Sequence, residues 1–242
     1  MNDPTQDPTQ ALAADVTRFC EERFDDVAAI AGLAMPTLSA SAPRRSALAI
    51  ERHCLKLLES TDPPLAGAGV VVAPYVLTDE PYWLEWWLAG PDDAPANATR
   101  LAADVNPDSV TFRDYTTLAW FEEPRRTGER GITGPYVDYL CTDQYTLTFT
   151  APLTADDRFL GVAGVDVLAR WFEQHLFVLV DDRKELDEGC VVVNRSGRVV
   201  ACPTGTWVTG DLIHELASDR LPAGGWHVVD CPGTPFVTAR KV

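Results

Sequence analysis

Gln144-Tyr145-Thr146-Leu147-Thr148-Phe149-Thr150 alternates polar and apolar side chains, and Phe159-Leu160-Gly161-Val162-Ala163-Gly164-Val165-Asp166-Val167 follows across the turn Ala155-Asp156-Asp157. Successive side chains of a strand point to opposite faces, so Tyr145, Leu147 and Phe149 share one apolar face. The two segments predict an antiparallel hairpin, and residues 168–186 behind it predict a helix for which Asp166 is a suitable cap.

The same pattern recurs toward the C-terminus. Val191-Val192-Val193 and Arg198-Val199-Val200-Ala201 flank Asn194-Arg195-Ser196-Gly197, a strong hairpin signal. A short helix is expected over 211–217. A last hairpin, Trp226–Asp230 with Phe236–Arg240, turns at Pro232-Gly233. Toward the N-terminus, Gly69–Val72 and Tyr82–Leu88 read as strands around Thr78-Asp79-Glu80, and 92–97 as a loop. Residues 112–123 read as a helix broken by Pro124, and 125–135 as a Gly-rich, charged loop.

The chain opens on a helix. Asp7 suits its cap, Pro8 its first position and Gln10 the reciprocal capping contact. Leu12, Val16, Cys20, Phe24, Val27, Ala31 and Ala34 recur at spacings of three and four, and Gly32 or Pro36 is expected to end the stripe. A second helix is expected from Ser46 to Ser60, before Pro63-Pro64. Antiparallel hairpins mixed with helices give an α+β fold: a long N-terminal helix and two antiparallel-sheet lobes, the second smaller. The boundaries expected are 1–66 for the helical segment, 67–186 for the first lobe with its connecting helix, and 187–242 for the second. Strict βαβ alternation is absent, which disfavours a nucleotide-binding parallel sheet.

Composition narrows the function. At 46% hydrophobic and 23% charged residues, the 242-residue chain is globular rather than disordered, and 16 glycines with 18 prolines are too few for a collagen-like sequence. Its formal charge of −16 repels a phosphate backbone, so no nucleic-acid partner is expected, and a small ligand steered by that field is a cation. No apolar run approaches the ~20 residues needed to span a bilayer; Leu176–Val180 is only five residues long. The acidic start is not a signal peptide, so no membrane insertion and a cytoplasmic location are expected.

Six cysteines at 20, 54, 141, 190, 202 and 231 contain no C-x-x-C spacing, and His53, His175, His214 and His227 form no ligand pattern with them. No metal or cofactor is expected, and the thiols read as buried and free. The sequons at Asn97 and Asn194 carry no meaning without secretion. Nucleophile elbows, phosphate loops, dinucleotide fingerprints and H-E-x-x-H are absent. Asp156-Asp157 and Asp181-Asp182 read as solvated charge.

One segment carries more. Leu118-Ala119-Trp120-Phe121 is followed by Gly134-Pro135-Tyr136-Val137-Asp138, then by the threonine-rich strand ending at Ala151-Pro152-Leu153, then by Gly161-Val162-Ala163-Gly164-Val165-Asp166. In order and spacing this resembles the first, ligand-binding half of the double Cache family, PAS-like (PDC-type) sensor domains of bacterial chemoreceptors and histidine kinases. The hairpin at Asn194–Gly197 resembles the start of the second half. The resemblance implies a non-catalytic small-molecule sensor of signal transduction. It implies that Trp120, Phe121, Tyr136, Asp138 and Asp166 surround a small cationic or zwitterionic ligand, an amine or amino-acid-like molecule. Aromatic faces attract an ammonium by about 0.5–2 kcal/mol, and carboxylates neutralise its charge.

Two positions depart from the pattern. Amino-acid sensors of the family carry an arginine two residues before the tryptophan, where this chain has Leu118, and a tyrosine seven before it, where it has Arg113. An amine lacking a carboxylate is therefore favoured, with Arg113 a possible substitute clamp. Family members usually hang from membrane helices; this chain reads as a free-standing member acting through a homodimer or a separate signalling partner. Taken residue by residue, Trp120 and Phe121 suit a core, Asp166 a helix cap, Asp138 a turn and Tyr136 half-buried packing. Trp83, Trp86 and Trp87 read as sheet and core residues, one of them a possible lining residue, and His175 as surface or packing. The remaining readings are an enzyme with Asp138 or Asp166 as general base, and a ligand-free interaction scaffold.

Overall fold

The computed structural model describes residues 7–40, 43–45, 48–90, 97–139, 143–181, 189–221 and 224–242. The expected loop at 92–97, the first residues of the second helix, Cys141, and the helix beyond Asp181 lie wholly or largely outside them.

Helix α1 spans Pro8–Leu38. Its first turn is capped as expected: Asp7 Oδ1 accepts from the Thr9 amide at 3.1 Å. Leu12, Val16, Cys20, Phe24, Val27, Ile30, Ala34 and Leu38 are its buried stripe, with Ile30 in place of the expected Ala31. The helix runs through both expected stops. Pro36 removes only the bond to the Gly32 carbonyl, and both residues are exposed, so water serves that carbonyl.

The chain forms two compact units, one of residues 1–22, 134–147 and 168–242, the other of 23–133 and 148–167. Among the described residues ten strands make two antiparallel sheets. In the larger, β1 (Gly67–Val72), β2 (Trp83–Leu88), β3 (Thr99–Arg100), β4 (Gly131–Val137), β5 (Tyr145–Ala155) and β6 (Arg158–Leu168) take the order β3-β2-β1-β6-β5-β4. In the smaller, β7 (Val191–Asn194), β8 (Val199–Ala201), β9 (Trp226–Asp230) and β10 (Phe236–Lys241) take the order β8-β7-β10-β9. The α+β fold, with its long first helix and two sheets, is as read from the sequence.

In the first unit, β10 pairs with β7 and β9. Val191, Val193, Val237 and Ala239 pack with Ile213 and Leu216; the expected short helix is a 3-10 turn at His214–Leu216. On the other face the Thr238 hydroxyl donates to the Thr9 carbonyl at 3.0 Å. There Phe172 of helix α4 (Ala169–Asp181) stacks on Phe19 at 4.9 Å. His175 packs against Phe19 as well.

In the second unit β1 is the spine, buried throughout between β2 and β6. Helix α2 (Glu51–Ser60) packs on it. Opposite lies an aromatic cluster of Val71, Trp86, Tyr115, Phe121 and Val162. The single helix expected over 112–123 is instead a 3-10 turn, Tyr115–Thr117, an extended Leu118, and helix α3, Ala119–Thr127. Asp114 starts the turn by accepting from the Thr116 amide at 2.9 Å. Pro124 lies inside α3 rather than ending it, and part of the expected loop at 125–135 is β4. The turn at Asp156 and Asp157 has positive φ at both residues, as a two-residue hairpin of this twist requires.

Strand β5 corrects the alternation. Thr146, Thr148 and Thr150 are as buried as Leu147 and Phe149, so both faces of the strand are covered and its hydroxyls need protein partners. Among the described residues no helix is long and apolar enough to cross a membrane. Cys20, Cys54, Cys190, Cys202 and Cys231 are buried and free.

Candidate functional site

Asp166 stands near the end of β6, opposite Gly67 of β1, three residues before α4 begins. Only 4% of it is exposed, and its Oδ1 accepts from the Thr148 hydroxyl at 2.6 Å. The capping role is corrected by its position inside the strand: Leu168, not Asp166, directly precedes the helix. A buried carboxylate is costly without polar company, and Thr148, from the strand alongside, supplies part of it.

The surface beside Asp166 is built by the absence of side chains. A Cβ on Gly67 would lie 2.4 Å from Trp86 Nε1 and 3.1 Å from Asp166 Oδ2; one on Gly69 would lie 2.1 Å from the Glu85 carbonyl oxygen and 2.9 Å from Trp86 Cε3; one on Gly164 would lie 2.8 Å from the Phe149 carbonyl oxygen and 3.2 Å from Trp86 Cη2. The Trp86 indole therefore reaches over all three glycines, and at Gly67 it is the indole itself that leaves no room for a side chain. It is 6% exposed. Its Nε1–H has no partner among the described residues.

Phe121 is fully buried on the same face, its ring 5.4 Å from Tyr115 and 5.3 Å from Phe159. Trp120 is half-buried at the edge of this cluster, 6.2 Å from Phe121 edge to face. Tyr115 closes it: its hydroxyl donates to the Val72 carbonyl at 2.7 Å and accepts from the Trp83 amide at 3.2 Å. Burial raises that phenol far above its ordinary value, so it stays neutral. Leu118 packs against these aromatics. Arg113 is exposed, with Nη1 on the Phe112 carbonyl at 3.2 Å.

Tyr136 and Asp138 belong to the other compact unit. Gly134, just before them, approaches β5 so closely that a Cβ would meet the Thr146 carbonyl oxygen at 2.5 Å, at a φ of +133°. Asn194 Nδ2 donates to the Gly134 carbonyl at 3.0 Å. Asp138 is buried. Its amide donates to the Gln144 carbonyl and its carbonyl accepts from the Asp143 amide, closing a short loop; Tyr136 is half-buried. Three of the five residues singled out in the sequence, Trp120, Phe121 and Asp166, thus share one unit.

Trp86, Thr148 and Tyr115 were not among the five. The alternation of β5 puts Thr148 on a polar face, and nothing in the sequence singles out Trp86 among Trp83, Trp86 and Trp87. The signal lay in the glycines: Gly67 and Gly69 alternate along β1, and β2 sets Trp86 directly opposite Gly69. Among the described residues no group of three or more His, Cys, Asp or Glu is placed to hold a metal.

Residues 98–171 match the family described as methyl-accepting chemotaxis protein-like, first PDC sensor domain. Solved structures resemble nearly the whole chain. Methyl-accepting chemotaxis protein X is 15% identical with a TM-score of 0.63, over 96% of this chain and 94% of that one. The ligand-binding domain of the Pseudomonas aeruginosa PAO1 amino acid chemoreceptor PctC, in complex with GABA, is 16% identical with a TM-score of 0.58, over 96% of each chain. That of the Pseudomonas fluorescens chemoreceptor CtaA, in complex with L-valine, is 14% identical with a TM-score of 0.61, over 97% of this chain and 93% of that one. At these identities the likeness is one of fold. No curated protein matches the chain.

Proposed function

We propose that this chain, whose fold is that of the double Cache (PDC) sensor domains, is a non-catalytic small-molecule sensor. Its ligand is a small amine or amino-acid-like cation whose ammonium meets Asp166. The observation that carries the reading is a buried carboxylate, accepting from a strand hydroxyl, beside the Trp86 indole of an aromatic cluster. A cation is the partner such a group favours, and a low-dielectric setting strengthens the attraction. Trp120 and Phe121 add aromatic surface for the cation or its carbon chain. GABA and L-valine, bound by the two chemoreceptor domains above, both carry an ammonium group.

Leu118 tilts the choice toward amines without a carboxylate. A residue packed into the aromatic cluster offers no bidentate grip, and the guanidinium of Arg113 is engaged at the surface.

Titration calorimetry of the purified chain against alkylamines, amino alcohols and α-amino acids tests the reading. The expected result is saturable binding of amines that Asp166→Asn abolishes while its thermal melt stays within a few degrees of wild type. Recovery of the ligand unaltered after prolonged incubation is expected of a sensor. Binding that survives Asp166→Asn removes the ammonium site, and turnover of the ligand replaces sensor by enzyme.

A further inference from the structure

We propose that the Trp86 indole N–H reads a neutral oxygen on the ligand, so that the molecule recognised is an ammonium with a hydroxyl or carbonyl oxygen two carbons away. The inference rests on the reading that Asp166 takes the ammonium.

Trp86 Nε1 is a donor only, and it is buried with no acceptor among the described residues. Leaving such a donor unpaired is costly, and the chain meets that cost while also giving up a side chain at Gly67. A Cβ on Gly67 would strike the indole at Nε1, 2.4 Å away, so glycine at that position lets the ring lie where it does. The ring is thus held in one orientation, with its N–H at the Asp166 end rather than the far end. Nε1 and Asp166 Oδ2 lie within 2.4 and 3.1 Å of one common point, the place of the missing Gly67 Cβ. A donor and an acceptor that close are matched by a ligand whose own donor and acceptor are about 3 Å apart, as in N–C–C–O. The oxygen is neutral because a second carboxylate beside buried Asp166 would add like-charge repulsion in a poorly screened site.

Calorimetry with n-propylamine, ethanolamine and glycinamide separates the two ideas. On wild type, ethanolamine and glycinamide are expected to bind about tenfold more tightly than n-propylamine, the ratio that one hydrogen bond of ordinary worth supplies. Trp86→Phe is expected to erase that ratio. In protein carrying 15N-labelled tryptophan, the assigned Trp86 indole proton is expected to move downfield with ethanolamine and not with n-propylamine, a readout that needs no variant to fold. Equal binding of the three probes, or an unmoved indole proton, overturns the inference while Asp166→Asn still abolishes n-propylamine binding. Failure of every amine to bind wild type, or binding unaffected by Asp166→Asn, overturns the ammonium site and this inference with it.

Discussion

The Thr150 hydroxyl donates to the backbone carbonyl of Trp120 at 3.0 Å. That carbonyl is the one that residue 124 of helix α3 would serve, four positions on, and residue 124 is a proline with no N–H. A side chain from β5 therefore completes a helix that its own sequence interrupts, and in doing so fixes the peptide that carries Trp120.

Thr150→Val keeps the side-chain shape and removes the donor. Because Thr150 is buried, the Trp120 carbonyl loses its partner, and the variant is expected to lose about 1–3 kcal/mol in urea unfolding. In a Pro124→Ala background, where the backbone N–H returns, the same substitution should cost less. A double-mutant cycle with no coupling would contradict the relationship.

Gly67→Ala places a methyl 2.4 Å from Trp86 Nε1. The indole or the strand must shift, and overpacking of this kind typically costs about 1–3 kcal/mol. The expected outcome is a lower melting temperature, a displaced tryptophan emission maximum and loss of amine binding together. A variant with wild-type emission and melting would show that the indole is not held as described.

Asp7 contributes to the acid limb of stability. Burial pulls its carboxyl up, but hydrogen bonds from His227 and from the Thr9 amide, with the charges of His227 and Arg240, bring it below the ordinary 3.8. A depressed carboxyl stabilises the fold above its unfolded pKa, and that contribution disappears as the pH falls through the folded value. Asp7→Asn retains capping ability and removes the charge. Its stability should fall short of wild type at pH 5–6 and converge on it toward pH 2–3, by a small margin because the pair is partly exposed and screened by salt. A gap that persists at pH 2 would assign the effect to something other than this charge.

Burial pushes the Cys54 and Cys231 thiols up to about 12 and raises Cys190 as well, in each case as the largest cause. A thiol at such a value presents almost no thiolate at neutral pH. In a Cys141→Ser variant, Ellman's reagent is expected to react with none of the other five within minutes at pH 7.5, and with all five in guanidinium. Fast native labelling would place one of them at the surface.

The hairpin of β5 and β6 and the two C-terminal hairpins were legible because turn chemistry and apolar spacing are local. Asp156-Asp157 and Asn194–Gly197 mark their own turns. Asp7 likewise marks the start of α1 two residues from the amide it caps. Helix α3 was not legible, since the partner of the Trp120 carbonyl lies thirty residues further along the chain. Pro124 read alone means a stop. The exposure of Gly32 and Pro36, which lets α1 continue, is equally a fact of packing rather than of spacing. Asp166 was found through motif order. Trp86 was not, because its setting depends on which residues of β1 and β6 come to lie beneath it, and that follows from strand register.

Gly67 and Trp86 are coded nineteen residues apart, yet a Cβ on the first would lie 2.4 Å from the indole of the second. In a library of single substitutions the two should behave as one genetic locus. Alanine at residue 67 should give the defect of losing Trp86 itself, and the pair of changes should be little worse than either alone. Shrinking residue 86 should partly rescue it. Gly69 and Gly164 should not follow, because a Cβ there would meet the Glu85 carbonyl oxygen at 2.1 Å and the Phe149 carbonyl oxygen at 2.8 Å. Epistasis of that form would let the seat of the tryptophan be mapped by selection alone, with no structure and no ligand in hand.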